Sequence, residues 1–255
     1  MEKFWGPRPE IAEYVAQTIP AGASVLEIGP GAVPFVRSTQ FVDRLARTGL
    51  PGPLHRLDVV REPLPFADKA FDFVYCRHTV EDLAYPDLLL SEMNRVARAG
   101  YIETPSPIAE LTRGVDGPRY GRQVPYRGYI HHRWIVWASG GSLHLMEKSN
   151  AIEHLDFFEV EADEDLRRPL AWNTYFLWGF RSLATDTRSP WDRGLWQDRF
   201  AFKRHEHDID FDLHTNYRDR LLAAHTAGKR NEAEMRELLT SSSGSVRNAY
   251  APIAR

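Results

Sequence analysis

Cysteine is almost absent from this sequence, and so is any long apolar run. Cys76 is the only cysteine in 255 residues, so no intrachain disulfide can form, which fits a reducing compartment. No stretch approaches the about 20 consecutive apolar residues of a membrane-spanning helix, and the first residues lack the apolar run typical of a signal peptide. We therefore expect a cytoplasmic protein that does not use a membrane as a partner.

The sequence also lacks any excess of basic charge. Its formal net charge is −3, and Lys and Arg are scattered along the chain. Domains that bind nucleic acid are usually strongly basic on at least one face, so we expect no nucleic-acid partner. The hydrophobic content of 43% is enough for one large domain, or for one domain with an appendage.

A glycine turn near the start of the chain is the first informative feature. Residues 25–31, Val-Leu-Glu-Ile-Gly-Pro-Gly, predict a buried strand that runs into a tight turn. Glycine accepts a positive φ and lets a ligand approach the backbone, and α/β sheets bind ligands beyond the carboxyl ends of their strands. A dinucleotide fingerprint requires a third glycine where this chain has Pro34, so a nicotinamide-dependent oxidoreductase is disfavoured.

Two interpretations are open for the segment after this turn. Residues 40–43 can form a second strand, or residues 38–48 can form a helix. We favour the strand, although it leaves a short crossover from the first strand. Asp43 would then end a strand, where an acid can bind both ribose hydroxyls. If the helix forms instead, Asp58 takes that role.

Hydrophobic periodicity predicts the remaining elements. Strands are expected at residues 54–60, 71–76, 101–104, 157–160 and 174–180, and a β-hairpin at about 130–148. Helices are expected at residues 9–19, 86–98, 216–227 and 231–239, the last two broken at Gly228.

Five short motifs follow the glycine turn in a fixed order. They are Asp58, Leu64-Pro65-Phe66, Phe71-Asp72-x-Val74, His78-Thr79-Val80-Glu81-Asp82-Leu83 and Glu92-Met93-x-Arg95-Val96. From residue 25 to about residue 107, their order and spacing resemble the small domain of class I S-adenosylmethionine-dependent methyltransferases. The chain departs from that family at Val33, where a third small residue is usual, and at residues 80–82, where Leu-Glu-His is usual. The chain is therefore identified as a divergent member, and its substrate cannot be inferred from the family.

The resemblance implies a fold and a domain organisation. We expect an α/β, Rossmann-like, doubly wound and mostly parallel sheet of about seven strands in residues 1–188, with the hairpin as an insertion. Residues 189–255 would be a partly helical C-terminal extension that packs on the same domain and offers a homodimer contact.

The resemblance also implies a role for each residue of the cofactor site. Glu27, Gly29 and Gly31 would hold the methionine end of S-adenosylmethionine, and Asp43 the ribose. Asp58 would accept a hydrogen bond from the adenine amino group, with Val59 against the ring. Cys76, Arg77 and His78 follow the fourth strand and would face the methyl donor.

Histidines are the candidates for a general base, because imidazole titrates near neutral pH. His78 is the first candidate, since it lies beyond the end of a strand. His131 and His132 are further candidates, and on a strand they would point to opposite faces, so that at most one faces the cleft.

Two other segments carry chemically suggestive side chains. Residues 205–214 contain His and Asp of the kinds that bind zinc or iron, but alternating apolar residues favour a half-buried strand, so we expect no metal. The long segment 106–129 is rich in arginine and could bind an acidic substrate group or be an ordinary solvated loop.

The function expected from these features is methylation of a small molecule at oxygen or nitrogen, as in a biosynthetic enzyme. The rival interpretation is a catalytically silent, methyltransferase-like binding or scaffold protein.

Overall fold

The computed structural model describes residues 8–116, 126–155, 166–179, 199–205 and 213–249, with the side chains of residues 216–241 in the last segment. Among these residues, no helix combines the length and the apolar character needed to cross a membrane.

Within the described residues, six strands form the central sheet: β1 (Val25–Ile28), β2 (Gln40–Asp43), β3 (Leu54–Arg56), β4 (Phe71–Arg77), β5 (Ala97–Pro105) and β8 (Asn173–Trp178). Their order across the sheet is β3-β2-β1-β4-β5-β8. The first five are parallel and β8 is antiparallel to β5. The predicted Rossmann-like, mostly parallel sheet is confirmed. The strand expected at residues 157–160 lies outside the described residues.

Residues 40–43 form strand β2, so the strand interpretation of this segment is confirmed and the helix is wrong. Phe41 and Val42 are fully buried, and Leu26 pairs with Gln40 in parallel register. The connection from β1 contains no helix. Burial of two apolar side chains against β1 thus outweighs the helical periodicity of the segment.

Two helices flank the sheet close to their predicted positions. Helix α1 spans Pro9–Thr18 and α2 spans Asp87–Val96. The predicted helix to residue 98 is two residues too long, because β5 begins directly at Ala97. The Lys69 ammonium donates to the carbonyls of Asn94 and Ala97, and so satisfies backbone acceptors at this junction.

The hairpin is present and belongs to a second sheet. Strands β6 (Trp134–Ser139) and β7 (Ser142–Glu147) pair antiparallel, and β9 (Ala201–His205) joins β7 in parallel. The prediction that His131 and His132 lie on a strand with opposite orientations is wrong. Both precede β6 in a turn, and their rings are 4.4 Å apart.

One long helix ends the described chain. After the short helix α3 (Pro107–Leu111), helix α4 runs through Leu213–Ala249, so the predicted break at Gly228 is wrong. A Cβ at Gly228 would lie 3.3 Å from Cδ of Pro107, which shows that this glycine serves the close packing of α4 on α3. Most of the strand expected at residues 205–214 lies outside the described residues. Its last two residues belong to α4, which begins at Leu213, so the predicted end of that strand is wrong. The homodimer contact stays a prediction.

Candidate functional site

The carboxyl ends of β1 to β4 bring the predicted cofactor residues to one edge of the sheet. Gly29 and Gly31 follow β1 with φ of 68° and 57°, values that favour glycine. Asp43 ends β2, and Asp58 lies two residues beyond β3. A Cβ on Gly31 would meet no atom within 4 Å, so the space above this glycine is open to a ligand.

Glu27 is buried in β1 and holds the loop that follows the glycine turn. Its side chain accepts a hydrogen bond of 2.9 Å from the backbone N–H of Phe35. Burial raises the pKa of Glu27 to about 7, although hydrogen bonds from Ser38 and Phe35 oppose the shift. Of the two roles considered for this acid, acceptor for turn amides and acceptor for a ligand ammonium, the structure shows the first.

Asp43 and Asp58 are each oriented by their own loops. The Asp43 carboxylate accepts from the backbone N–H of Leu45 at 2.8 Å and from Nε of Arg47 at 2.7 Å. The Asp58 carboxylate accepts from the N–H of Val60 at 3.1 Å. Since a carboxylate offers about four acceptor positions, both acids retain capacity for a ligand hydroxyl or amino group. Val59 packs partly against the core.

Of the two residues at the end of β4, Cys76 is buried in the core and Arg77 faces a cavity. Cys76 is fully buried, and burial raises the pKa of its thiol, so no reactive thiolate forms there. Arg77 lines a cavity of about 410 Å³ together with Phe35, Tyr75 and residues of α1.

His78 is held between two buried carboxylates. Its Nδ1 lies 3.2 Å from Oε1 of Glu81, and its Nε2 lies 3.6 Å from Oε1 of Glu103. Burial alone would lower the pKa of His78, but hydrogen bonds and charge from Glu103 and Glu81 outweigh it and raise the pKa to about 9. At neutral pH this histidine is therefore a cation, and it is poorly suited to be the predicted general base.

A second group of side chains meets beside His78. Nε2 of His131 and Nε2 of His132 lie 3.8 and 3.7 Å from the same oxygen, Oδ1 of Asp82. Asp82 belongs to a 3-10 turn, Val80–Asp82, that follows β4. A cavity of about 100 Å³ opens between these residues and His78. The structure thus unites all three predicted catalytic histidines at one edge.

Sequence reasoning missed the acids that surround these histidines. Glu81, Glu103 and Glu110 are all 2% exposed or less. Glu110 pairs with His132 at 2.6 Å and with the Lys148 ammonium at 2.7 Å. The signal in the sequence was a lone acid among apolar neighbours, as in Ile108-Ala109-Glu110-Leu111, because such an acid is buried only when it is paired.

Two arginines of the segment 106–129, Arg113 and Arg127, bind other parts of the protein. Arg127 is fully buried and donates to the carbonyls of Leu111 and Ile152, so it supports the fold rather than binding a substrate. Arg113 pairs with Glu153 at 2.9 Å. Residues 117–125 lie outside the described residues.

Residues 26–102 match the model of a protein family described as a methyltransferase domain. This segment is therefore similar to a methyltransferase domain, and the mostly parallel sheet agrees with the fold that the sequence motifs predicted. No curated protein matches the sequence.

Several solved structures are similar to part of this chain. A SAM-dependent methyltransferase from Aquifex aeolicus is 20% identical, with 38% of this chain and 64% of that chain covered and a TM-score of 0.32. A SAM-dependent methyltransferase from Archaeoglobus fulgidus is 25% identical, with 42% and 57% covered and a TM-score of 0.33. A putative methyltransferase from Bacillus halodurans is 20% identical, with 38% and 51% covered and a TM-score of 0.31. The chain thus spans between 51% and 64% of these proteins, and the family match carries the assignment.

Proposed function

We propose that this protein transfers a methyl group from S-adenosylmethionine to an oxygen or nitrogen atom of a small molecule. One observation carries the proposal: Glu27, Gly29, Gly31, Asp43 and Asp58 lie in the class I order along one sheet edge, within the segment that matches a methyltransferase domain.

The residues present fit the proposed cofactor. The open backbone at Gly31, together with the unused acceptor capacity of Asp43 and Asp58, suits a ligand with hydroxyl and amino groups. S-adenosylmethionine supplies a methyl group that its sulfonium charge already activates. The protein's main task is therefore to hold the acceptor in line and to exclude water.

The acceptor side of the site is the cavity beside His78. Because both ring nitrogens of His78 face the carboxylates of Glu81 and Glu103, its role would be to hold the wall of this cavity rather than to contact the acceptor. Of the two other predicted bases, His131 is 42% exposed and His132 only 6%, so His131 is the more accessible candidate for taking a proton from the acceptor. The absence of a basic excess in the sequence supports a small-molecule acceptor.

A thermal-shift experiment with S-adenosylmethionine, S-adenosylhomocysteine and NAD tests the proposal. A ligand at about 100 times its Kd adds about 2.7 kcal/mol to the free energy of unfolding, which raises Tm by roughly 5–10 °C in a chain of this size. We expect this shift with the two adenosyl ligands and not with NAD.

Asp43→Asn should abolish most of the adenosyl shift, because it removes the charged acceptor for the ribose. Asp68→Asn is the matched control, since Asp68 is 74% exposed and precedes β4 at the other end of the sheet. No shift with either adenosyl ligand near millimolar concentration would favour a silent scaffold protein, and a shift with NAD alone would favour an oxidoreductase.

A further inference from the structure

The cluster of Asp82, His131 and His132 has the composition of a transition-metal site. Its three ligand atoms lie within 4.8 Å of one another. Two imidazoles and one carboxylate with free positions form a common arrangement for zinc and non-haem iron(II). We propose that these three residues bind a divalent transition-metal ion of the zinc or iron(II) kind.

Two segments of the chain are fixed to each other around the cluster. The backbone N–H of Arg133 donates to the carbonyl of Glu81 at 2.7 Å, and the indole N–H of Trp134 donates to the carbonyl of Leu83 at 2.7 Å. The ligand-bearing turn before β6 is therefore tied to the 3-10 turn after β4. An ion would meet ligands that are already close to their binding positions.

His132 is oriented as a metal ligand should be. Its Nδ1 faces Oε1 of Glu110 at 2.6 Å, which suits a proton on Nδ1, and its Nε2 lies 3.7 Å from Oδ1 of Asp82, where it would be the ligand atom after losing any proton to a bound ion. Lys148 holds the other oxygen of Glu110 at 2.7 Å. A carboxylate behind a ligating histidine is the usual support of protein metal sites.

Around the cluster the acids outnumber the cations in the described part of the chain, because Glu81, Asp82, Glu103 and Glu110 lie opposite only Lys148 and His78. Glu81 is 1% exposed, and its Oε2 has no hydrogen-bond partner among the described residues. Asp82 and Glu110 add two carboxylates in the same place. A buried carboxylate oxygen without a partner is costly, and a divalent ion nearby would offset that cost.

The open side of the ion would face the cavity shared with His78. Three protein ligands leave coordination positions free, and the cavity of about 100 Å³ has room for water or for one oxygen of the methyl acceptor. Binding of the methyl acceptor at this position rests on the proposed function, whereas binding of the ion does not. An ion would also occupy the lone pair that His131 needs as a base, so the two roles of His131 exclude each other.

Metal titration of the full chain, after treatment with a chelator and buffer exchange, tests the inference. The probes are ZnCl2 by calorimetry, CoCl2 by visible absorption and MgCl2 as a hard-ion comparison. We expect one equivalent of zinc or cobalt to bind, with a cobalt absorption band typical of imidazole ligation, and no comparable binding of magnesium.

His131→Ala and Asp82→Asn should each weaken zinc binding by at least about tenfold. Both side chains are about 40% exposed, so the variants should keep the thermal transition of the unsubstituted chain. His154→Ala is the matched control, because His154 is exposed and lies outside the cluster.

The inference is overturned if no saturable binding of zinc or cobalt occurs below millimolar concentration, or if His131→Ala binds like the unsubstituted chain. Zinc binding without an adenosyl thermal shift would support the metal site and count against methyl transfer. The reverse result would leave His131 as the candidate base.

Discussion

Gly29 and Thr79 lie so close together that a Cβ on Gly29 would be 2.3 Å from Oγ1 of Thr79. The glycine turn after β1 and the loop after β4 are therefore in direct contact. Gly29 also has a φ of 68°, which side chains other than glycine rarely adopt. The position thus combines a steric requirement with a conformational one, and both arise where the cofactor is proposed to bind.

Gly29→Ala should lower the free energy of unfolding by about 2 kcal/mol or more, measured by urea denaturation. Gly31→Ala is the control, because Gly31 has a similar φ but a Cβ there would meet no atom. It should lower the free energy of unfolding by only about 1 kcal/mol. Adding Thr79→Ala to Gly29→Ala should restore part of the loss. Equal losses in the two alanine variants would show that the contact with Thr79 does not matter.

Lys148→Met should cost about 3–5 kcal/mol of stability, because it leaves Glu110 buried without its cation. The Lys148 ammonium also donates to the carbonyls of Arg127 and Tyr129, so the turn that carries His131 should loosen. Chemical denaturation measures the loss, and Lys203→Met on exposed β9 should stay within about 0.5 kcal/mol. Combining Lys148→Met with Glu110→Gln should recover part of the lost stability. If Lys148→Met alone lowers the free energy of unfolding by less than about 1 kcal/mol, the paired arrangement is contradicted.

Glu27→Gln should change the pH dependence of stability. The native pKa of Glu27 is about 7 against its usual 4.5, so between these values the native state holds a proton that the unfolded state has lost. Stability from this group is therefore lost as the pH rises from 4.5 to 7. Between about pH 5 and pH 8, Glu27→Gln should gain about 2 kcal/mol relative to the unsubstituted chain.

Urea denaturation at several pH values measures this difference. Glu13→Gln, at an exposed position on α1, is the matched acid-to-amide control, and its effect on stability should not vary with pH in this way. A difference between Glu27→Gln and the unsubstituted chain that does not vary with pH would contradict the buried, protonated state of Glu27.

The contact between β7 and β9 should weaken in mild acid. Nδ1 of His144 lies 2.9 Å from Nε2 of His205, and both rings stack with Trp137. Burial, with charge from His144, Lys203 and Arg220, lowers the pKa of His205 to about 4. The unfolded state therefore binds more protons between pH 6.5 and 4, and stability is lost as the pH falls through that range.

Hydrogen exchange of the amides of β9, corrected for intrinsic rates, should show less protection at about pH 5 than at about pH 7. His205→Phe should reduce this acid sensitivity, because it keeps a ring on Trp137 that cannot be protonated, whereas His144, whose pKa burial also lowers, remains. The amides of β6 serve as an internal control. Equal protection of β9 at both pH values would refute the prediction.

Local patterns predicted the strands that carry the proposed cofactor residues. The strand that leads into Gly29 and the strand that ends at Asp43 follow from apolar runs bounded by turn residues, which are properties of a few neighbouring residues. Parallel pairing then brings their carboxyl ends to one edge without further information. This is why Glu27, Gly29, Gly31, Asp43 and Asp58 could be identified together.

The errors concern residues whose environment comes from distant parts of the chain. Gly228 looked like a helix break, yet its missing side chain is explained by Pro107 on another helix. His78 was a candidate base from its position after a strand, and only the structure shows the carboxylates of Glu81 and Glu103 on either side of it. Propensity describes a residue in isolation, and tertiary contacts override it.

The sequence by itself determined the class of fold, the strands near the glycine turn and the acids that follow those strands, because these depend on local periodicity and on the geometry of parallel strands. Only the tertiary structure decided that His131 and His132 meet Asp82, and that Glu110 and Lys148 support them. That meeting requires the turn before β6 to pack on the turn after β4, and the sequence spacing of these residues does not encode such a long-range contact.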